Sequence, residues 1–204
     1  MSIQYPQSIE NLIKQFSKLP SVGRKTAERY VFYLLNQKTD QLRSWAKNIN
    51  EVSAGLKFCQ KCFNLSEKSP CQICSDNKRK ENLICLVANP QDLVAIENTK
   101  QYEGKYFVLG GLINSIENFG PEKLNIKALI KEINSKLKNN QKIEIILALS
   151  PTIEGEATCL YLQKILKNPK IKISKLARGL STGASLEYAD ENTLANALKF
   201  RRDI

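Results

Sequence analysis

Four of the six cysteines in this chain stand in two pairs, Cys59-Gln60-Lys61-Cys62 and Cys71-Gln72-Ile73-Cys74, on either side of the loop from Phe63 to Pro70. A C-x-x-C pair presents two thiolates from one tight turn, and a short loop can fold back to gather four sulfurs around one tetrahedral ion. Four thiolates suit zinc, and a closed set of four leaves no open coordination position for chemistry. The pairs therefore point to a structural zinc clip. Two disulfides or a redox-active pair would use the same residues. A redox C-x-x-C belongs beside a βαβ pattern, and none precedes residue 59. The remaining two, Cys85 and Cys159, lie in apolar contexts and read as buried reduced thiols. Histidine is absent, which removes His triads, His metal ligands and His acid–base work together.

The elements that must position this clip come from a chain of 204 residues, enough for one or two domains with a real core. A composition 42% hydrophobic and 25% charged excludes disorder. No run of about 18 apolar residues is present, so no membrane span is expected. Met1-Ser2-Ile3-Gln4-Tyr5 has neither a basic start nor an apolar core. No secretory signal is expected, and the cytoplasm is the expected location. Net charge is +11, and residues 1–80 hold 14 Lys/Arg against 6 Asp/Glu, whereas residues 81–204 hold 17 against 14. A basic front module points to a polyanion, most simply nucleic acid, although a merely soluble surface can carry the same charge.

Within that basic front, Ile9, Leu12, Ile13 and Phe16 recur at helical spacing and predict a helix over 8–17. Leu19-Pro20 breaks it, and Gly23 is expected to allow a turn that a side chain would obstruct. Ala27, Tyr30, Val31 and Leu34 resume a helical face. The second helix of this hairpin starts at the turn, where free N–H groups and the helix dipole can hold a phosphate beside Arg24 and Lys25. Arg29 adds a cation one turn on. Such contacts hold DNA without reading sequence. An ordinary packing corner fits the same spacing; two cations directly after Gly23 favour DNA. Asp40 can cap a third helix with an apolar stripe of Leu42, Trp45, Ala46, Ile49 and Val52. Trp45 is expected in the core, and the clip is expected to stabilise this module's junction with the next one.

After Lys78-Arg79-Lys80 the pattern becomes α/β. Strands are predicted at 83–87, 106–109, 143–149 and 171–177, with helices from Asn89-Pro90 to Ile96, over 126–137, and from the 150–157 segment to about Lys167. Alternating strands and helices imply a mainly parallel sheet covered on both faces. Ligands to such a sheet sit at the carboxyl ends of its strands, here Ala88-Asn89, Gly110-Gly111, Ser150 to Glu156, and Arg178 to Gly183. Neither G-x-G-x-x-G nor a P-loop motif is present. Gly179 to Gly183 reads as a strand exit rather than a nucleotide loop. Asp190 can cap a last helix carrying Leu194 and Leu198. The basic end Lys199, Arg201, Arg202 suits its C-terminus.

Several stretches together are distinctive: Leu19-Pro-Ser-Val-Gly-Arg-Lys-Thr-Ala27, the four clip cysteines, Pro90-Gln-Asp-Leu-Val-Ala-Ile-Glu97 and Tyr106-Phe-Val-Leu-Gly-Gly111. Pro151-Thr-Ile-Glu-Gly-Glu-Ala-Thr158, Ala177-Arg-Gly-Leu180 and Leu186-Glu-Tyr-Ala-Asp190 complete the set. Over essentially its whole length the chain resembles the RecR family of bacterial recombination mediators. The resemblance implies an α+β multi-module chain: a helix-hairpin-helix DNA-binding domain (1–56), a four-cysteine zinc finger (57–80), an α/β Toprim domain with a mainly parallel sheet (81–175), and a C-terminal segment with a Walker-B-like strand and helix (176–204). It implies one structural Zn²⁺ per chain on Cys59, Cys62, Cys71 and Cys74. DNA contacts are expected from Gly23, Arg24, Lys25 and Arg29.

The family forms homodimers and homotetramers that can encircle DNA, and works with RecO and RecF to load RecA on gapped DNA. Its acidic Toprim site is implicated in the RecO contact, which here falls on Glu154 and Glu156. Catalytic Toprim domains pair a glutamate after the first strand with two aspartates after a later one to hold Mg²⁺. Here Ala88-Asn89 stand at the first position, and Ser150 and Thr152 at the aspartate-like places. The expectation is a non-enzymatic DNA clamp and adapter in recombinational repair. A Mg²⁺-dependent Toprim nuclease, primase or topoisomerase, and a zinc adapter without DNA contact, are the competing classes.

Overall fold

The computed structural model describes residues 5–138, 140–177, 179–183 and 185–201. Of the residues singled out above, Met1 to Gln4, Arg178 and Arg202 lie outside these. The chain divides into two compact units, Met1–Leu56 and Lys57–Ile204.

In the first unit the helical spacing of Ile9, Ile13 and Phe16 produces α1 (Gln7–Phe16), and Ala27 and Val31 give α2 (Arg24–Leu35) its inner face. Ile13, Ala27 and Val31 form the buried centre, with Ile9, Phe16 and Val22 packed against it. Between the helices the left-handed residue is Ser21, at φ 62°. Gly23 is extended at φ −80°, and a Cβ added to it would have no atom within 4 Å. The turn thus does not require glycine at position 23, contrary to expectation.

Helix α3 (Thr39–Gly55) also departs from the sequence reading. Lys38 takes the N-cap position, and Asp40 lies inside the first turn. None of the α3 residues is buried: Trp45 is 53% exposed, and Ile49 and Val52 are more so. Its apolar stripe is real in period but is not core.

The second unit opens with two short strands, β1 (Lys57–Phe58) and β2 (Leu65–Ser66), and a single-turn helix, α4 (Gln72–Ser75). Its main sheet has four parallel strands, ordered in space second, first, third, fourth. They are β3 (Lys80–Val87), β4 (Gly104–Val108), β5 (Ile143–Ala148) and β6 (Ile171–Lys175). The register runs Cys85↔Tyr106 on one side of β3 and Cys85↔Ile146 on the other. Because strand side chains alternate, Ile84 and Leu86 join Phe107, Ile145 and Leu147 on one face. There α6 (Ile126–Lys138) contributes Leu129 and Ile133, and α7 (Ile153–Ile165) contributes Leu162. Cys85, Val87, Tyr106 and Val108 point to the opposite face, covered by Leu93 of α5 (Pro90–Glu97) and by Phe63 and Ile73 of the clip. The first face is covered, and the opposite face is covered over β3 and β4. Where β5 meets β6 that opposite face carries the partly exposed Glu144–Lys172 ion pair, so the predicted cover of both faces is only partly met. Asn89 and Pro90 open α5 in a capping box, the Asn89 N–H donating to Asp92 Oδ2 at 2.9 Å. Asp190 caps α8 (Glu191–Lys199), accepting from the Thr193 N–H at 3.0 Å.

Candidate metal centre and nucleic-acid interface

The clip begins with a two-residue antiparallel ladder, β1 (Lys57–Phe58) against β2 (Leu65–Ser66). Its turn closes through Cys59 N–H to Asn64 O and Phe63 N–H to Cys59 O, each 2.8 Å. This turn carries Cys59 and Cys62. Cys71 then caps the single-turn helix α4 (Gln72–Ser75), which carries Cys74. The four sulfurs lie within 4.8 Å of one another, with Cys62 Sγ and Cys71 Sγ 3.5 Å apart. A tetrahedron of Zn–S bonds about 2.3 Å long has edges of about 3.8 Å, so the set fits one zinc ion. Among the described residues these cysteines form the one group of three or more metal-binding side chains so placed. None of the six cysteines forms a disulfide, and Cys85 and Cys159 are buried in the core.

The local electrostatics also suit a metal. The Cys74 thiol is pulled down to about 6, first by the Cys62 thiol donating to it, then by Cys71 and Cys59 and by the charge of Lys105. Cys62 is pushed up by the same bond and by burial. Burial raises Cys59, but the backbone N–H groups of Cys71, Cys62 and Lys61 outweigh it and leave it lowered. The Cys71 N–H reaches Cys59 Sγ at 3.3 Å. Backbone donors already aimed at a sulfur will stabilise it as a thiolate ligand.

The clip lies along one of the sheet's two edges, that of β4. Strand β4 is an edge strand, yet all five of its residues are buried. The Val108 N–H donates to Cys62 O at 2.8 Å, and the rings of Phe63 and Phe107 lie 5.4 Å apart. An edge left open would be a template for unwanted strand pairing. No local pattern signals this role, nor that of Arg79 and Lys105, which join the clip to β4. Arg79 Nη1 donates to Glu97 Oε2 at 3.1 Å and to Gly104 O at 3.2 Å. Lys105 stands just before the apolar run that marks the strand.

In the hairpin, no side chain caps the N-terminus of α2, and its first turn holds no acidic residue. Arg24 is 58% exposed, with Nη2 on Glu10 at 2.9 Å and Nε on Glu28 at 3.1 Å. These bonds raise its pKa, the Glu10 hydrogen bond most. Lys25 and Arg29 are exposed and four residues apart, so they share a helix face. The four predicted DNA residues are thus together, but Arg24 is already bonded within the protein. Arg29 also lines an apolar groove with Phe16, Leu19, Tyr30, Tyr33, Leu34 and Trp45.

At the carboxyl ends of the strands, Glu154 and Glu156 lie on the first turn of α7. Two residues apart, they point about 200° away from each other around the helix. The Glu154 carboxyl is held low by its own backbone N–H and the Thr152 hydroxyl. Glu156 Oε1 meets Lys175 Nζ of β6 at 2.5 Å. The neighbouring motif residues have structural work. A Cβ on Gly155 would lie 1.9 Å from Ser150 O. The fully buried Thr158 hydroxyl donates to Glu154 O at 2.7 Å and accepts the Ile113 N–H at 2.9 Å.

Comparison with known families gives the same order of parts. Residues 9–53 match the RecR helix-hairpin-helix family, and residues 56–76 the RecR four-cysteine zinc finger domain. Residues 82–177 match the Toprim domain and residues 179–202 the family described as RecR, C-terminal. The chain is 44% identical over 203 residues to "Recombination protein RecR" of Bifidobacterium longum subsp. infantis, covering 100% of both. Proteins of the same name from two further Bifidobacterium longum strains match at 44% over the same span. A helix-hairpin-helix unit, a four-cysteine clip suited to one zinc ion and a Toprim domain succeed one another along the whole chain, which belongs to the RecR family.

Proposed function

We propose that this protein is a non-enzymatic DNA clamp and adapter in recombinational repair in the cytoplasm, acting with RecO and RecF to promote RecA loading on gapped DNA. The observation that carries the DNA reading is the uncapped N-terminus of α2 with Lys25 and Arg29 exposed on one face. Open space around Gly23 lets a phosphate approach the first-turn N–H groups. Lys25 and Arg29 are the principal phosphate contacts, and Arg24 joins only by leaving Glu10 and Glu28. Such contacts fix DNA without regard to sequence.

Adapter function falls to the acidic end of the Toprim domain. Glu154 sits beside Ile153, which is 87% exposed, and a carboxylate next to a bare apolar side chain suits a protein surface such as RecO. Glu156 supports that contact but shares its charge with Lys175. Ala88-Asn89 in the first-strand position, the divergent aim of the two glutamates and the Lys175 ion pair all disfavour Mg²⁺ catalysis. The exposed stripe of α3 (Trp45, Ile49, Val52) supports self-assembly, since a homodimer or homotetramer would cover it.

The test is DNA binding by fluorescence anisotropy across a salt series, with the same samples run on a gel after incubation with Mg²⁺. Salt-sensitive binding and intact DNA are expected. Cut or relaxed DNA, abolished by Glu154→Ala, would replace the clamp with an enzyme. Partner binding that survives high salt without any DNA affinity would leave only the adapter.

A further inference from the structure

We propose that Lys105 is the positioning residue of the zinc site: from edge strand β4 it grips the second cysteine pair, coupling metal retention to the order of the sheet edge. Lys105 is 6% exposed, and a buried ammonium group persists only where it is bonded. Its Nζ donates to Ile73 O at 3.1 Å, Cys74 O at 3.2 Å and Asp76 O at 2.7 Å. Glu81 Oε1 is also within reach, at 3.2 Å.

The three carbonyls belong to the end of α4 and the residues just beyond it. The last carbonyls of a helix have no partner within it, so here a side chain from the sheet supplies one. One of the three is the carbonyl of Cys74 itself. Holding that backbone fixes where the Cys74 sulfur can stand. Charge argues the same way: four thiolates around Zn²⁺ leave a net charge of −2, which a buried cation beside them offsets.

The first cysteine pair is tied to the same strand, through Val108 N–H to Cys62 O at 2.8 Å. Strand β4 therefore holds both halves of the clip three residues apart. From Lys105 the linkage continues through Glu81 to Lys136 of α6, whose Nζ is 2.9 Å from Glu81 Oε2. Groups that orient metal ligands from outside the coordination sphere change metal affinity by about 10- to 100-fold when removed.

Zinc-loaded wild type, Lys105→Met and the core variant Leu129→Ala should be mixed with excess chromogenic chelator. Lys105→Met should release zinc about 10-fold faster, while Leu129→Ala, destabilised elsewhere, stays within about twofold of wild type. The cobalt-substituted Lys105→Met protein should show displaced thiolate-to-metal absorption bands. Release from Lys105→Met no faster than from Leu129→Ala, with unchanged cobalt bands, overturns the proposal. Should Lys105→Met not fold, Lys105→Gln takes its place in both assays with the same outcomes, and the coupling to the sheet edge is read on wild type. Withdrawing zinc should deprotect the amides of Tyr106 to Val108 against hydrogen exchange while those of central β5 stay protected. Equal protection of β4 with and without zinc overturns the coupling.

Discussion

Gly155 has room for hydrogen and nothing larger. Its absent Cβ would sit 1.9 Å from a backbone oxygen, and backbone cannot swing aside as a side chain can. Gly155→Ala should destabilise the second unit by about 1–3 kcal/mol in urea unfolding, whereas Gly23→Ala meets no neighbour and should cost only the weaker N-cap of α2, about 0.5–1 kcal/mol. This contrast reverses the weight that sequence reading places on the two glycines. Composition marks where a glycine falls between helices, but only the packed backbone shows which glycine has a neighbour. Arg24 teaches the same lesson for charge. Its position after the turn was legible, but its fork to Glu10, fourteen residues away, was not. Glu10→Gln together with Glu28→Gln should free Arg24 and tighten DNA binding, while Arg24→Ala should weaken it less than Lys25→Ala; anisotropy titrations at one salt concentration check both.

Elements with strong local signals appear where their residues place them. Asn89-Pro90 opens α5, Asp190 caps α8, and the apolar runs at 83–87 and 143–149 mark two neighbouring strands of the parallel sheet. The cysteine spacing already contained the metal set. What local pattern could not convey was which apolar face finds a partner. Helix α3 has the period of a core helix yet no buried residue. If a second copy covers that face, Ile49→Asp with Val52→Asp should shift the protein to smaller assemblies in light scattering; an unchanged mass removes α3 from the interface. The join between clip and α5 has a pH signature. Burial pushes the Glu97 carboxyl up, but its bonds to Arg79 more than offset this and hold it below the ordinary 4.5. Because the folded value is the lower, the pair's stabilisation is full above about pH 4.5 and is lost as pH falls through that lower value. Glu97→Gln should cost about 1 kcal/mol near neutral pH and flatten the acid limb of a stability–pH profile.

Over the molecule as a whole, charge and metal divide the labour. Basic excess is concentrated in residues 1–80, where α2 offers its N-terminus, while the zinc clip lies along the β4 edge of the Toprim sheet. Removing zinc should therefore leave a protein prone to associate through β4, which light scattering after chelation would register. The proposed clamp depends on the α2 face holding DNA by its phosphates. Its most direct test is the slope of log affinity against log salt for wild type and the Lys25→Ala/Arg29→Ala double variant. Each phosphate contact contributes about 0.9 to that slope on duplex DNA, so the double variant should bind more weakly and with a slope shallower by about 2. An unchanged affinity and slope would contradict the assignment and move the DNA contact elsewhere on the protein.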